Sequence, residues 1–154
     1  MVALDDAYFL NLAVEVAAQN VLDGGGPFGA VVVSSDGSSV FTSGNRVTAN
    51  NDPTAHAEVS VIRKACASIE NFSLEGYVLY SSCEPCPMCL GAALWSRVDR
   101  IVYAADRYDA ADAGFDDAEF YTKLAAGKVA EERKIENYLL PFDTWKTNIK
   151  RIEY

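Results

Sequence analysis

One histidine and two cysteines of this chain have the residue types and the spacing of a zinc site. His56 stands in the segment Thr-Ala-His-Ala-Glu at 54–58, and Cys86 and Cys89 stand in Pro-Cys-Pro-Met-Cys at 85–89. A catalytic zinc ion takes three protein ligands and one water molecule in a tetrahedral array. His56, Cys86 and Cys89 therefore predict one Zn²⁺ per subunit, with a bound water or hydroxide in the fourth position.

The two cysteines are expected in the first turn of a helix. Residues three apart on a helix share one face, and the free amide groups and the dipole of a helix N-terminus favour thiolates. The prolines of segment 85–89 suit the same turn, because the amide hydrogens that they lack would have no partner there. We expect both sulfurs to reach the same ion.

A carboxylate, Glu58, follows His56 by two residues. In a regular helix it would point about 200 degrees round the axis from His56, so it should not bind the same ion. At the entrance of a helix it can instead face the water on the metal. H-x-E combined with P-C-x-x-C is the signature of the zinc deaminases, in which the glutamate is the general acid and base. Glu58 is therefore predicted to be catalytic.

Cys83 leaves two other kinds of metal site open. With Cys86 and Cys89 it forms C-x-x-C-x-x-C, but the bacterial ferredoxin run needs a further Cys followed by Pro, which this chain lacks after Cys89. As a fourth zinc ligand, Cys83 would close the site and make it structural. In a third interpretation Cys83 ends a buried strand. Cys66 is expected to be a small core residue.

The length and composition of the chain predict one domain, residues 1–154. The 13 Lys and Arg are outnumbered by 22 Asp and Glu, which gives a net charge of -9. Because a protein that holds polynucleotide must neutralise phosphates, this charge disfavours a nucleic-acid partner. No stretch approaches the ~20 apolar residues that span a bilayer, and no basic region precedes an apolar run at the start. We expect no membrane partner and a cytoplasmic location, where cysteines stay reduced.

Strands and helices are predicted to alternate along the chain, with Asp52 or Thr54 as the N-cap of the second helix. The expected elements, in order, are a helix at 5–22, a hairpin of strands at 30–33 and 39–43, a helix ending near 69, a strand at 78–82, a helix at 87–97, a strand at 100–104, a helix at 117–125, a weak fifth strand at 135–140 and a last helix at 142–149. This order predicts an α/β fold, a three-layer α/β/α sandwich with a five-stranded mixed sheet. Both metal-binding segments fall where chain enters a helix, which is where such sheets place ligands.

The two motifs resemble the cytidine deaminase-like superfamily, and bacterial tRNA adenosine deaminases carry nearly the same pair. Other segments are similar to guanine deaminases of the small, zinc-dependent bacterial type. These are Gly-Gly-Pro-Phe-Gly-Ala at 25–30, Asn-Asn-Asp-Pro-Thr at 50–54, Ala-Gly-Phe-Asp-Asp at 113–117, and Tyr154. The likeness extends over nearly the whole chain. It implies a small-molecule purine substrate and the hydrolysis of guanine to xanthine and ammonia.

The resemblance also implies roles for single residues. Contact with the purine is implied for five of them: Phe28, Asn45, Ala57, Trp95 and Tyr154. Asp117 would be a second proton shuttle near the leaving amino group. The C-terminal segment, about 141–154, would be exchanged between the subunits of a homodimer, so that Tyr154 and its carboxylate reach the partner's pocket.

Each of these roles has a plainer alternative. Asn45 can be a turn residue, and Asp117 can be the N-cap of the helix that follows it. Trp95, nearly two turns after Cys89, can belong to the core, and Tyr154 to a disordered terminus. Three other functions stay open as well: a guanosine deaminase, a tRNA adenosine deaminase and a non-catalytic zinc module.

Overall fold

Four strands form the sheet of the computed structural model, which describes residues 3–127 and 129–154. The strands are β1 (Gly29–Ser34), β2 (Val40–Gly44), β3 (Tyr77–Cys83) and β4 (Arg100–Ala105). They lie in the order β2-β1-β3-β4. β1 pairs antiparallel with β2 and β3, whereas β3 and β4 are parallel. The sheet is therefore mixed, as the alternation of strands and helices predicted.

Helices cover both faces of this sheet. In chain order they are α1 (Asp6–Leu22), α2 (Val47–Asn50), α3 (Ala57–Ile69), α4 (Pro87–Ser96), α5 (Arg107–Asp112), α6 (Asp117–Ala125) and α7 (Leu140–Thr147). α1 packs on β1 and β3 from one side, while α3 packs on β1 and β2 from the other side and also contacts α4. The fold is thus the predicted α/β/α sandwich.

The alternation of side chains along β1 explains why helices are needed on both faces. Ala30 and Val32 join the apolar cluster that includes Val61 of α3. Val31 and Val33 join the cluster that includes Phe9 of α1. Since successive side chains of a strand point to opposite faces, a run of buried residues requires a covering layer on each side.

The predicted fifth strand at 135–140 was wrong. Residues 136–139 form a turn, in which Asn137 has a left-handed backbone with φ 63°. Leu140 N–H donates to the carbonyl of Asn137 at 2.9 Å, and Ile135 is 71% exposed. Because a strand needs extended backbone and a neighbouring edge, this local hydrogen bonding excludes one here.

The sequence also misplaced some helix boundaries. The N-cap of α3 is His56, not Asp52 or Thr54. Asp52 Oδ1 instead accepts the N–H of Thr54 at 2.8 Å, which makes a local turn before the helix. α7 begins two residues before the predicted position and ends at Thr147, and the short helices α2 and α5 were not predicted.

The described part of the chain contains no helix with the length and apolar character to cross a bilayer. α6 and α7 differ from the other long helices in having no buried residue. They therefore lie on the periphery of the sandwich rather than in its core.

Candidate metal centre and active site

The side chains of His56, Cys86 and Cys89 converge at the N-termini of two helices. His56 is the N-cap of α3, and Cys86 is the N-cap of α4. His56 is also the single histidine of the chain. The ligating atoms of the three residues all lie within 4.8 Å of one another. Both cap residues have extended backbone, with ψ 158° and 169°, and this directs their side chains away from the helix axis toward the shared point.

The distances in this group fit a zinc ion. His56 Nδ1 lies 3.6 Å from Cys86 Sγ and 3.5 Å from Cys89 Sγ. Zinc bound in a tetrahedron at about 2.3 Å from sulfur and about 2.0 Å from nitrogen would separate these atoms by about 3.5 Å. One nitrogen and two sulfurs are also a donor set that zinc prefers. The three residues therefore match both the chemistry and the geometry of such a site.

The two thiols of this group cannot both ionise readily on their own. A hydrogen bond from Cys89 and the nearby His56 lower the pKa of Cys86 to about 4. The pKa of Cys89 is raised, first by that same hydrogen bond and then by burial. A second thiolate would repel the first, because both negative charges would be buried side by side. A dication bound among the three residues would stabilise both thiolates.

Cys83 does not join the group. Its Sγ lies 3.6 Å from the carbonyl oxygen of Asp106, to which the thiol donates. Burial raises the pKa of Cys83 to about 11, so the thiol remains protonated at neutral pH and is a poor metal ligand. Three protein ligands are the number found in catalytic zinc sites, and the closed Cys3His interpretation is not supported.

Glu58 lies beside the cluster but is not one of its ligands. It is the second residue of α3 and is only 5% exposed. Ser81 Oγ, on β3, donates to Glu58 Oε1 at 3.0 Å, and Cys89 Sγ lies 3.5 Å from Oε2. Burial raises the pKa of Glu58 above its ordinary value. A carboxyl group so placed holds a proton more readily than an exposed glutamate does, which suits a group that transfers protons.

Asp117 approaches the same region from α6. It is the first residue of that helix, and the N-cap position belongs to Asp116, so the N-cap alternative was wrong. Among the described residues, its buried Oδ1 has no hydrogen-bond partner. Burial raises the pKa of Asp117, and negative charge on Cys86 raises it further. Asp117 is thus an acidic group within electrostatic range of the metal ligands, and none of the residues that the structure describes binds its Oδ1.

Three of the residues implied in purine contact lie on elements next to the cluster. Ala57 is fully buried and is the first residue of α3, directly after His56. Asn45 is buried and follows β2, and its Oδ1 accepts the N–H of Val47 at 3.2 Å. Asn45 is therefore a turn residue, and its amide nitrogen remains a separate donor. Phe28 precedes β1 and packs edge-to-face on Phe115, with ring centroids 4.8 Å apart.

Trp95 and Tyr154 lie together at a different place. Their ring centroids are 6.0 Å apart, and both side chains are largely exposed. Trp95 comes six residues after Cys89, which places it about 9 Å further along the helix and on another side. The two rings line a shallow cavity on the surface. Its other lining residues are Pro141, Phe142, Trp145 and Glu153. Trp95 is therefore not a core residue, and the cavity includes none of the three metal ligands.

One buried residue that supports the site was not predicted. The amide nitrogen of Asn20, on α1, donates to the carbonyl of Gly26 at 2.8 Å and to that of Asn45 at 2.9 Å. It joins the loop before Phe28 to the turn at Asn45. The signal in the sequence is a polar residue on the buried face of α1, in line with Ala13 and Ala17.

Comparison with known proteins agrees with this geometry. The sequence model of the cytidine and deoxycytidylate deaminase zinc-binding region matches residues 4–105. The chain is 49% identical to guanine deaminase of Bacillus subtilis (strain 168) over 154 residues, 95% of this chain and 97% of that protein. The solved structure of guanine deaminase from Bacillus subtilis has a TM-score of 0.91 at 42% identity and covers 98% of this chain and 99% of its own. A tRNA-specific adenosine deaminase of Haemophilus influenzae is 35% identical over 134 residues, 82% of this chain and 78% of that protein.

Proposed function

This chain belongs to the cytidine and deoxycytidylate deaminase zinc-binding family, among its guanine deaminases, and we propose that it hydrolyses guanine to xanthine and ammonia. The observation that carries the proposal is the three-ligand cluster with a buried carboxylate, Glu58, beside it. The full-length likeness to a guanine deaminase selects the substrate among the family's possibilities.

His56, Cys86 and Cys89 would hold the zinc ion. When bound, zinc is a Lewis acid that lowers the pKa of a water molecule from 15.7 to about 7, so that hydroxide is available at neutral pH. The chain's own contribution is to move protons and to orient the purine.

Glu58 is the proton carrier in this mechanism. As water adds to C2 of guanine, Glu58 accepts a proton from it and delivers that proton to N3 of the ring. Glu58 then takes the proton of the added hydroxyl group and carries it to the amino group. The hydroxyl oxygen becomes the C2 carbonyl of xanthine as the C2–N bond breaks, and ammonia leaves. The upward shift in the pKa of Glu58, caused by its burial, helps both steps, because it makes the carboxyl group a better proton acceptor and carrier than an exposed glutamate.

Asp117 assists at the leaving group. Its Oδ1, which has no hydrogen-bond partner in the described part of the chain, is available to the amino group of guanine. Its raised pKa lets it hold a proton more readily than an exposed aspartate does. Asn45 would bind the purine edge through its amide nitrogen, and the N–H of Ala57 would donate from the start of α3. Phe28 would border the face of the ring.

We further propose a homodimer in which the segment at about 141–154 is exchanged between subunits. Its large apolar side chains are exposed in the single chain: Phe142 is 61% exposed, Ile149 94% and Ile152 70%. Large apolar side chains left exposed along one segment suit a surface that another protein chain covers. In the dimer, Tyr154 and Trp95 would complete the purine pocket.

The cysteines are free, two of them in the zinc site, which favours a reducing compartment, the cytoplasm.

Ammonia release from a panel of substrates tests the function. Guanine, guanosine, cytosine, adenine, cytidine and a tRNA are each incubated with the zinc-loaded chain. We expect turnover of guanine, with xanthine as the other product. Turnover of guanosine without guanine would make the chain a nucleoside enzyme, and turnover confined to the tRNA would assign it to RNA editing.

A further inference from the structure

We propose that Tyr121 is a positioning residue for the proton transfer by Asp117, held in place by Arg107 and Glu84. These three residues are called the Tyr121 clamp below. The inference rests on the proposed function, because it concerns a group that serves deamination. Tyr121 does not touch the reacting atoms; it acts by fixing where α6 presents Asp117.

The hydroxyl of Tyr121 ties α6 to the metal-binding loop. It donates to the carbonyl oxygen of Pro85 at 2.8 Å. Pro85 is fully buried and directly precedes the zinc ligand Cys86. The contact therefore fixes α6 to a point one residue from the cluster, across 36 positions of sequence.

Arg107 covers the ring of Tyr121 from outside. Its guanidinium carbon lies 3.5 Å from the ring centroid, a cation-π contact that holds the phenol in one orientation. Glu84 holds the guanidinium in turn, since Nη2 donates to Oε1 at 2.6 Å and the backbone N–H of Arg107 donates to Oε2 at 2.9 Å. The Glu84 and Arg107 side chains are 13% and 27% exposed, so solvent weakens this pair less than a surface pair.

α6 depends on such contacts because it has no buried residue. Apolar packing thus contributes little to its position. Asp117 and Tyr121 are four residues apart on this helix and lie on the same face. Since Asp117 Oδ1 has no partner among the described residues, the position of this oxygen is set mainly by the helix that carries it. Anchoring Tyr121 one turn later anchors Asp117.

A double-mutant cycle in the full-length, zinc-loaded chain tests the clamp. Tyr121→Phe removes only the hydroxyl, so α6 loses its tie to Pro85. We expect kcat for guanine to fall about 10- to 100-fold, the loss that follows when a reacting group is displaced by about 1 Å. KM and zinc content should change by less than about twofold, because Asn45, Phe28 and the metal ligands lie on other elements. In the Asp117→Asn background, the same exchange should lower kcat by less than about twofold.

Two further variants sharpen the comparison. Tyr108→Phe is the matched control, because Tyr108 is 70% exposed on α5 and should change kcat by less than about twofold. Arg107→Lys keeps a positive charge for Glu84 but loses the planar stack on the ring, so it should lower kcat to a smaller extent than Tyr121→Phe. Its effect should also vanish in the Asp117→Asn background. If Tyr121→Phe does not fold, Arg107→Lys decides by the same cycle.

Hydrogen exchange gives a readout that does not depend on activity. The amides of α6 should exchange faster in Tyr121→Phe than in the wild type, while those of α3 stay unchanged. Unaltered exchange in α6 would overturn the clamp, and so would equal fold losses of kcat in the wild-type and Asp117→Asn backgrounds. Loss of zinc in Tyr121→Phe would instead show that Tyr121 supports the metal site. If the wild type deaminates another base and not guanine, the proposed function fails, and the cycle is run with that base.

Discussion

Replacing Glu58 by glutamine separates proton transfer from every other property of the site. The amide has the shape of the carboxylate, and its oxygen can still accept the hydrogen bond that Ser81 donates at 3.0 Å. Glu58 is not one of the three clustered ligands, so zinc should remain bound. Because the side chain is 5% exposed and an ionised carboxylate is unfavourable there, a neutral amide should not destabilise the fold.

The expected loss follows from the number of protons that Glu58 moves. One proton transfer of this kind contributes about 10²- to 10⁴-fold, and Glu58 serves two. We expect kcat to fall by at least about 10³-fold, which corresponds to about 4 kcal/mol in the barrier. Ammonia release at saturating guanine, zinc per chain by elemental analysis and the thermal midpoint are measured together.

Ser81→Ala is the matched control for this variant. It removes the donor to Glu58 but leaves the carboxylate, so its loss of kcat should be about tenfold or less. A zinc-loaded Glu58→Gln protein that keeps a tenth or more of the wild-type kcat would refute the role of Glu58 as proton carrier. A Glu58→Gln protein that has lost its zinc would show instead that the carboxylate helps to hold the metal.

Three further predictions concern the supports of the site. Asn20→Asp puts a carboxylate oxygen against two carbonyl groups, so the free energy of unfolding measured in urea should fall by at least about 2 kcal/mol. KM for guanine should also rise, and an unchanged KM would show that Asn20 does not support the purine site. His56→Ala should cost bound zinc, which elemental analysis checks; full zinc content would contradict the ligand assignment. Arg107 lowers the pKa of Glu84 below its ordinary 4.5. The stability that ionised Glu84 contributes to the folded protein is therefore complete above about pH 4.5 and is lost as pH falls through the lowered pKa. Glu84→Gln should therefore be less stable than wild type by about 1 to 2 kcal/mol at pH 7. This difference should narrow as pH falls below 4.5 and through the lowered pKa; a difference that stays equally wide at acid pH would contradict the linkage.

The sequence predicted the elements that carry the metal ligands because their signals are local. The proline at the first turn of α4 and the short, continuous apolar runs in β1 and β3 are signals that lie within a few positions of the chain. The approach of His56 to Cys86 was predicted from ligand chemistry, since zinc needs three protein donors. The local pattern failed at 135–140, where apolar residues at 135, 138, 139 and 140 belong to a turn and to the start of α7 instead of a strand.

The residues that hold the site in place, Tyr121 and Asn20, could not be predicted from local sequence patterns, because each joins distant parts of the chain. Tyr121 bonds a carbonyl oxygen 36 residues away, and Asn20 bonds one 25 residues away. A backbone carbonyl is present at every residue, so no residue type marks the acceptor. Only the fold determines which carbonyl lies within reach.

The distribution of burial explains how one zinc centre can serve different substrates within a family. His56, Cys86, Cys89 and Glu58 lie on α3 and α4, whose apolar faces pack in the sandwich, and the family match ends at residue 105. Beyond that residue, α6 and α7 have no buried residue. Substitutions there cost little stability, so the segment that bears Asp117 and Tyr154 can change while the metal centre stays intact. Part of the substrate choice should therefore reside after residue 105, in addition to the purine contacts proposed for Phe28, Asn45 and Ala57. Contacts such as that of Tyr121 to Pro85 join the variable segment to the constant one.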